Sequence, residues 1–548
     1  MPLLGIGGSD HDFSVAVIEN GRVAVSIEDE RLTRTKHGRG EWHSHPLQPS
    51  LDYCLKFTGF SEADFDTIES NLHLEQRALD GLTSRVKAIS HHLAHGACAF
   101  FPSPFERAAV VVIDGAGNRV WCDERQQKME TVSIGTGLGN HIRLQLHQSG
   151  ERHIATCFWR YVTADSLGAF YGIVGEALGF GPFGAGKTMG IAAYGNLSLK
   201  APMAEFLKID PGEGRFQFDP YGGLMEWLAE TLSRWEHNPF QTHADIAAAA
   251  QSLFEDAVLA VMRHAHRLSG ENNLCYGGGC ALNSVCNQKI LQQTPFQNLF
   301  IYPAPGDNGT AVGAALYAHY VRGKAPRETP GEAGLGGLAY LGRPYSEAHI
   351  KAALERFPVY GKKSADITGD AAWMLHEGEV IGWFQGRSEI GPRALGNRSI
   401  LADPTRKTMR DHINRRIKGR ETFRPLAPAV TVEAAPRYFE CDRPSPFMSR
   451  AVPVRPRYRR KLHSVTHVDG TARLQTVDAE ANPLFYELLQ KFSRFDKPPI
   501  LLNTSFNLKD EPIVETPEDA INCFLNSKLD HLILGDYIVE RHTPFCDF

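Results

Sequence analysis

Short apolar stretches separated by turn signals dominate the start of the chain and predict β-strands. Residues 13–18 and 23–27 are rich in Val, Ile and Ala, and they flank the dipeptide Asn20-Gly21. Asn-Gly favours the type I′ turn that joins two antiparallel strands. The chain is therefore expected to open with a β-hairpin, preceded by a polar Gly-rich turn that carries His11.

A second apolar run, residues 108–113, partly repeats this plan. It ends on Asp114-Gly115-Ala116-Gly117, and further strand signals follow at 131–134 and 142–145. Two such halves resemble the duplicated ribonuclease-H-like core shared by actin, sugar kinases and heat-shock chaperone ATPases. We therefore expect an α/β fold whose first domain contains two related sheets.

The pattern changes near residue 346, after a stretch rich in Gly, Pro and charged residues at 322–337. Such a stretch is typical of a linker or surface loop. The sequence therefore predicts two domains, residues 1–345 and 346–548. Helical periodicity and strand signals occur on both sides, with helices expected at 169–178, 246–268, 310–321, 346–356 and 370–377 and strands at 380–384 and 500–507.

Composition narrows the class of protein. The 548 residues carry a net charge of -5, with 42% hydrophobic and 22% charged residues, which is typical of soluble globular proteins. No signal sequence and no membrane-spanning stretch is evident, so we expect a cytoplasmic protein without a membrane partner. The acidic balance disfavours a nucleic-acid partner. The ten cysteines lack a Cys-x-x-Cys pair, and Cys275, Cys280 and Cys286 are expected to be buried thiols.

His91 and His95 stand four residues apart in a predicted helix, so both imidazoles lie on one face and can bind one metal ion. Asp114, at the end of the second apolar run, is placed where a carboxylate can face a cleft. Asp307 lies on a Gly-rich turn just before a predicted helix. The alternatives are two buried structural histidines and, for Asp307, a simple helix N-cap.

Two Gly-rich segments are candidates for nucleotide binding. Gly277 and Gly278 follow a short predicted strand and precede a helix start at Asn283, where backbone can approach phosphate closely. The segment 181–188, which contains Lys187, has the spacing of a phosphate-binding P-loop. A helix rather than a strand is predicted before it, so we reject the P-loop interpretation, although Lys187 can still meet a phosphate.

The second domain is rich in cations set among glycines, which suits an anion site because guanidinium groups bind phosphate in a bidentate manner. The alternative is a set of arginines on helix surfaces. Strand 500–507 ends in small polar side chains suited to hydrogen-bonding a ligand. A further charged segment, residues 28–38, is interpreted either as a solvated loop or as part of a site. The candidate anion-binding residues are Arg393, Lys418, Arg424, Arg473, Asn503 and Ser505.

The chain resembles the NodU/CmcH family of O-carbamoyltransferases over nearly its whole length. The resemblance is carried by many motifs in family order: His11-Asp12, Glu28-Asp29-Glu30-Arg31 with Lys36-His37, His91-His92-x-x-His95, Gly186-Lys187-x-Met189-Gly190, Gly277-Gly278 through Asn283, Gly306-Asp307-Asn308, Gly391-Pro392-Arg393-Ala394-Leu395-Gly396, His467 through Arg473, and Asn503-Thr504-Ser505-Phe506-Asn507.

The resemblance implies an N-terminal actin-like domain, similar to the TsaD threonylcarbamoyl-transfer proteins, and a C-terminal YrdC-like α/β domain. It implies that the second domain makes carbamoyl-adenylate from carbamoyl phosphate and ATP, with Mg as the usual companion of ATP. The first domain would transfer the carbamoyl group to a hydroxyl of a small molecule. The nucleotide- and anion-binding residues above would serve these substrates.

The resemblance also implies residue roles in transfer. His91, His95, Asp114 and Asp307 would bind a divalent metal, which in the family is iron. The donor set itself suits Fe(II), Mn(II) or Zn(II) equally. His11 and Lys36 would lie near the transfer site as catalytic residues.

Three other functions stay open. Threonylcarbamoyl transfer to tRNA uses the same two domain types, although the acidic balance speaks against it. A sugar or acetate kinase of the same superfamily would release ADP rather than pyrophosphate. A nucleotide-gated scaffold would bind ATP without turnover. Nothing in the sequence indicates the acceptor or an oligomeric state.

Overall fold

Two compact units make up the structure, a computed structural model that describes residues 2–38, 47–71, 82, 85–121, 127–154, 161–234, 237–331 and 334–542. Unit 1 comprises residues 1–24 and 60–330, and unit 2 comprises residues 25–59 and 331–548. The sequence did not predict that residues 25–59 belong with the C-terminal part. The proposed domain boundary at residue 345 stays a prediction.

Unit 1 is built on two sheets. Its strands, numbered along the whole chain, are β1 (Leu3–Gly7), β2 (Ser14–Glu19), β3 (Arg22–Glu28, which runs into unit 2), β4 (Ile68–Asn71), β5 (Val86–Ile89), β6 (Arg107–Ile113), β7 (Arg119–Trp121), β8 (Gln127–Leu138), β9 (His141–Ile154), β10 (Tyr161–Thr163), β11 (Leu207–Asp210), β12 (Arg215–Phe218), β13 (Asn273–Gly277) and β14 (Asn298–Phe300). Its helices are α3 (His91–Phe100), α4 (Leu167–Ala177), α5 (Ala185–Ala192), α6 (Lys200–Met203), α7 (Leu224–Arg234), α8 (Pro239–Ser269), α9 (Ser284–Gln293) and α10 (Thr310–Tyr317).

Five strands of each sheet share one strand order. The first runs β3-β2-β1-β4-β5, and the second contains β9-β8-β6-β13-β14, so each places its first strand between the second and the fourth. In each sheet the first strand pairs antiparallel with the second and parallel with the fourth. The hairpin turn is confirmed, since Asn20 and Gly21 have φ angles of 51° and 78°. This repetition is the duplicated plan that the sequence indicated.

Helix α10 packs between β1 and α3 because small residues line both contacts. A Cβ added to Gly5 of β1 would lie 2.1 Å from the Ala311 carbonyl oxygen of α10. A Cβ on Gly313 of α10 would lie 1.9 Å from the Ala94 carbonyl oxygen of α3. Only glycine permits these approaches. The ends of α3, β6 and α10 are the elements that carry the candidate metal ligands.

Unit 2 is built on an eight-stranded sheet with the order β15-β24-β23-β16-β17-β22-β18-β21. The strands of unit 2 are β15 (Val359–Lys363), β16 (Ile381–Phe384), β17 (Arg398–Ala402), β18 (Ala427–Thr431), β19 (Ala451–Pro453), β20 (Thr471–Arg473), β21 (Gln475–Val477), β22 (Ile500–Ser505), β23 (His531–Leu534) and β24 (Tyr537–Arg541). Of these, β19 and β20 pair with each other in a separate sheet. Its helices are α1 (Asp29–Thr33), α2 (Gln48–Thr58), α11 (Glu347–Arg356), α12 (Ile367–Glu377), α13 (Met409–His412), α14 (Ala435–Tyr438), α15 (Pro483–Ser493) and α16 (Pro517–Leu525).

The segment 25–59 is bound into unit 2 through buried polar contacts. The Tyr53 hydroxyl donates to the Glu515 carboxylate at 2.6 Å, and Tyr53 lies on α2. Arg34 donates to the carbonyl oxygens of Ile513 and Pro512 at 2.8 and 2.9 Å. Glu28 and Arg31 are also almost fully buried. The interpretation of residues 28–38 as a solvated loop is therefore wrong for Glu28 and Arg31.

Two expectations from composition can be compared with the described residues. Cys275, Cys280 and Cys286 are buried, as expected for thiols among apolar neighbours. In the part of the chain that the structure describes, no helix has both the length and the apolar character needed to span a bilayer.

Candidate functional site

Four side chains from three parts of unit 1 converge on one point. His91 and His95 lie one turn apart on α3, Asp114 follows the end of β6, and Asp307 lies in the turn that leads into α10. The Nε2 atoms of the two histidines are 3.0 Å apart. The Asp307 Oδ1 atom lies 3.5 and 3.4 Å from the Nε2 atoms of His91 and His95. One ligand atom of each side chain lies within 4.8 Å of all the others.

These spacings fit a bound divalent cation. Ligand atoms about 2.1 Å from a metal lie roughly 3.0–3.4 Å from their neighbours in octahedral or tetrahedral geometry. The separations of 3.0 Å between the two histidines, 3.4 Å from His91 Nε2 to Asp114 Oδ2 and 3.4 Å from His95 Nε2 to Asp307 Oδ1 fall at that spacing. All four residues are buried, so the carboxylates require a nearby positive charge. The alternative of Asp307 as the N-cap of α10 is wrong, because Gly309 occupies that position.

The histidines and aspartates of the cluster shift one another's pKa values. Burial by itself lowers the pKa of His91, but the Asp307 and Asp114 carboxylates outweigh burial and raise it to about 10. Burial raises the pKa of Asp307 and Asp114, but the two histidines hold both values below the usual range. The site therefore favours positive charge beside two ionised carboxylates, which a metal ion would supply.

Neighbouring groups fix the orientation of these ligands. The Asn71 amide, at the end of β4, lies 2.9 Å from the Nδ1 atom of His91. The Gly279 amide donates to Asp114 Oδ1 at 2.7 Å, and the His91 amide donates to Asn118 Oδ1 at 2.5 Å. Sequence reasoning missed Asn71, which is the last residue of the buried strand β4, and Asn118, which directly precedes β7.

His11 lies near the cluster within unit 1. Its Nδ1 atom is 2.9 Å from the Asp12 Oδ2 atom, and its ring packs edge-on against Phe183 at 5.1 Å between centroids. Burial lowers the pKa of His11, but Asp12, with smaller contributions from Asp307 and Asp10, raises it to about 9. A carboxylate on one ring nitrogen orients the imidazole for proton transfer at the other.

The candidate nucleotide residues of unit 1 are less closely grouped. Gly277 ends β13, and the Gly278 amide donates to the Pro305 carbonyl at 2.9 Å. Asn283 caps α9 and pairs with Gln251 through two hydrogen bonds of 3.0 and 2.9 Å. Lys187 lies in α5, an eight-residue helix, with its ammonium 5.9 Å from the Phe180 ring. Helix α4 precedes it, as expected when the P-loop was rejected, and nucleotide binding here stays a prediction.

Unit 2 contains a cluster of cations with few counter-charges. Burial and the Arg424 charge lower the pKa of Arg393 to about 10. Burial lowers the pKa of Arg473, and the charges of Arg393, Arg420 and Arg424 lower it further. Arg420, whose pKa burial and Arg424 lower to about 9, was not predicted as a site residue. Among the described residues, no carboxylate forms an ion pair with Arg393 or Arg473, although Glu421 lies 3.8 Å from Arg424.

Lys418, Ser505 and Asn503 lie in the same unit. The Lys418 ammonium donates to the Ser505 hydroxyl at 3.0 Å and to the Asn507 side chain at 2.7 Å. Burial lowers the pKa of Lys418, and the charges of Arg420, Arg424 and Lys36 add to this effect. The structure therefore groups Lys36 with the unit 2 cations. Asn503 Nδ2 donates to the Ala394 carbonyl at 3.2 Å, beside Arg393.

Comparison with known proteins places the chain in a family. Residues 3–77 and 76–316 match the family described as Carbamoyltransferase N-terminus, and residues 372–541 match Carbamoyltransferase C-terminus. Nodulation protein NolNO of Sinorhizobium fredii (strain NBRC 101917 / NGR234) is 35% identical over 97% of this chain and 79% of that protein. Nodulation protein NolO of Bradyrhizobium diazoefficiens is 37% identical over 83% of this chain and 79% of that protein.

A solved structure of full-length HypF in the phosphate- and nucleotide-bound form is similar over 58% of this chain and 55% of that chain. Its identity is 12% and its TM-score is 0.40, which is too remote to carry a functional conclusion. The two family matches together span most of the sequence. The chain therefore belongs to the carbamoyltransferase family and is a carbamoyltransferase enzyme.

Proposed function

We propose that this carbamoyltransferase activates carbamoyl phosphate with ATP in unit 2 and transfers the carbamoyl group to a small-molecule hydroxyl in unit 1. Water hydrolyses carbamoyl phosphate to carbamate and inorganic phosphate, and a carbamate oxygen then forms a bond to the α-phosphorus of ATP as pyrophosphate leaves. The hydroxyl oxygen then attacks the carbamoyl carbon, and AMP leaves. The matches to the N- and C-terminal carbamoyltransferase families support the transfer of a carbamoyl group.

One observation carries the activation step: Arg393 and Arg473 face other guanidinium groups without a carboxylate partner among the described residues. Like charges held together in a buried place are costly unless an anion joins them. Two phosphate-bearing substrates would supply that anion, and guanidinium groups match phosphate geometry. Lys418, Arg424 and Ser505 would add contacts to the same ligand.

In unit 1, His91, His95, Asp114 and Asp307 would hold a divalent metal such as Fe(II). When bound, the metal polarises the carbamoyl carbonyl as a Lewis acid. His11 would take the proton from the acceptor hydroxyl in its neutral form, which the raised pKa restricts to alkaline pH, and Asp12 would hold the imidazole in the productive orientation. Lys36, grouped with the unit 2 cations, would contact phosphate rather than the acceptor.

The activation step is tested by pyrophosphate release that depends on both ATP and carbamoyl phosphate. We expect release by the unaltered enzyme and its loss, by at least about 100-fold, in Arg473→Ala and Lys418→Ala, because removing a phosphate-binding cation costs transition-state stabilisation. Arg460→Ala, at an exposed arginine of the same unit, serves as the matched control and should keep full release.

Three outcomes would contradict the proposal. ADP formation without pyrophosphate would indicate a kinase. ATP binding without release of either product would indicate a scaffold. Equal pyrophosphate release in Arg473→Ala, Lys418→Ala and the control would remove the cation cluster from the activation step.

A further inference from the structure

We infer that the buried Glu28–Arg31 ion pair and Glu389 are positioning residues that fix the loop carrying Arg393, and thereby set the affinity for carbamoyl phosphate. This inference rests on the proposed function of the unit 2 cation cluster. We call residues 389–398 the arginine loop. Its conformation depends on the side chain of Glu389, within the loop, and on side chains that come from elsewhere in unit 2.

Glu28 and Arg31 hold opposite sides of one residue of this loop. The Gly391 amide donates to Glu28 Oε1, and Arg31 Nη2 donates to the Gly391 carbonyl at 2.6 Å. The two side chains also face each other, with Arg31 Nε 3.2 Å from Glu28 Oε2 and exposures of 1% and 4%. Gly391 lies two residues before Arg393, so the pair fixes the approach of the backbone to the guanidinium group.

Glu389 holds the other end of the arginine loop. Its Oε1 atom accepts hydrogen bonds from the amides of Leu395 at 2.7 Å, Asn397 at 2.7 Å and Arg398 at 3.2 Å. Glu389 is 1% exposed, so these bonds replace water in a buried place. One carboxylate thus gathers three amides on the C-terminal side of Arg393.

Further side chains bind the carbonyl groups of the arginine loop. Leu395 O accepts from the Tyr340 hydroxyl at 2.8 Å and from Gln475 Nε2 at 2.7 Å. Gly396 O accepts from Trp383 Nε1 at 2.9 Å. Gly391 and Gly396 have φ angles of 93° and 110°, which L side chains rarely adopt. The loop therefore keeps an irregular shape through side-chain contacts rather than through helix or strand bonds.

A buried ion pair contributes little to stability by itself, because removing two charges from water is costly. Its value here lies in holding a cation in place before the anion arrives. A guanidinium group that is already positioned loses less conformational freedom when it binds phosphate. Glu28 and Arg31 lie 360 residues or more from Gly391 along the chain, so their contacts with the arginine loop form only in the folded unit.

The test compares binding and turnover in three variants. Glu28→Ala removes the acceptor of the Gly391 amide, whereas Glu28→Gln keeps an oxygen in its place. Tyr340→Phe removes the bond to Leu395 O, together with the hydroxyl that accepts from Asn482 Nδ2 at 3.1 Å, with almost no change in volume. Tyr345→Phe, whose hydroxyl lies 3.4 Å from Glu515 and not at the arginine loop, is the matched control.

We expect Glu28→Ala to raise the KM and the Kd for carbamoyl phosphate about tenfold while kcat and the KM for ATP change less than about twofold. Tyr340→Phe should raise the Kd about threefold, and Glu28→Gln should lie closer to the unaltered enzyme than Glu28→Ala does. A role in stability alone would lower the melting temperature without changing the Kd of the folded protein.

Direct binding measurements separate the two proposals. An unchanged Kd in folded Glu28→Ala overturns the inference, and if that variant does not fold, an unchanged Kd in Tyr340→Phe overturns it. A change in Tyr345→Phe equal to that in Tyr340→Phe also overturns it. Absence of pyrophosphate release by an enzyme that binds carbamoyl phosphate overturns the proposed function only. Absence of carbamoyl phosphate binding to the unaltered enzyme overturns both.

Discussion

At the scale of single residues, the four-residue spacing of His91 and His95 decides what α3 can bind. Both side chains lie on the same face and reach Asp307, whereas His92 points elsewhere and lies 2.8 Å from the Ser133 hydroxyl. Three buried histidines of one helix are thus placed in two different environments. Substitution of His92 can therefore be compared with substitution of His95, because the two residues are of the same type and lie in the same helix.

We predict that His95→Ala lowers bound metal by more than about tenfold and abolishes carbamoyl transfer, because one of four ligands is lost. Adenylate formation should persist, since the cation cluster lies in unit 2. Metal content by mass spectrometry and the two half-reactions measured separately check this. His92→Ala is the control and should keep its metal. Full transfer by His95→Ala would rule out the metal role.

The residues of this site were partly predictable. Helical spacing indicated His91 and His95, and the strand end indicated Asp114, because both signals are local. That Asp307 joins them depends on α10 packing against α3, and the orienting contact from Asn71 depends on the pairing of β1 with β4. Neither contact has a signal in neighbouring residues.

At the scale of elements, the approach of α10 to α3 controls the geometry of the ligands. Gly313 allows α10 to lie against the Ala94 carbonyl, and Asp307 lies in the turn at the start of α10. A larger residue at 313 would separate the two helices and move Asp307 away from the histidines. Packing between two helices is thereby connected to the spacing of the candidate metal ligands.

We predict that Gly313→Ala destabilises the fold by about 1–3 kcal/mol through overpacking and lowers the metal content. Gly186→Ala is the matched control, since no atom lies within 4 Å of the added Cβ and the position is in helix α5. That variant should gain about 0.5–1 kcal/mol, because alanine loses less entropy than glycine in a helix. Thermal unfolding measures the change in stability, and metal analysis measures the metal content. Equal stability of the two variants would contradict the packing argument.

Predictions of helices and strands succeeded where a periodic pattern extended over many residues. They were wrong about the ends of an element, or about its burial, where contacts with distant residues determine these properties. The helix expected at 246–268 is α8, which begins earlier because Asn238 caps it and Pro239 suits its first turn. The arginine loop and Glu28 were visible only as charged or Gly-rich stretches. Their burial depends on partners far along the chain, which local pattern does not reveal.

At the scale of the whole molecule, the chain passes between the two units three times, after residues 24, 59 and 330. The repeated strand order of unit 1 could be anticipated because strand signals recur in the sequence. The assignment of residues 25–59 to unit 2 could not, since it follows from contacts such as that between Tyr53 and Glu515.

We predict that the fragment 331–548 alone lacks a cooperative thermal transition, because it loses the buried partners of Glu515 and Gly391. Joining residues 25–59 to its N-terminus through a flexible Gly/Ser linker of about 15 residues should restore the transition. Circular dichroism during heating measures this, with a scrambled 25–59 segment as the control. Cooperative unfolding of 331–548 by itself, at the temperature of the fusion, would show that the segment is dispensable.

The assignment of residues 25–59 also bears on how relatives of this enzyme can be recombined. The match to the N-terminal family includes these residues, although they fold with the C-terminal unit. A chimera joined near residue 330 would therefore place Glu28 and Arg31 of one parent against the arginine loop of another. Exchange of acceptor specificity between relatives should succeed more often when residues 25–59 and the C-terminal unit are taken from the same parent.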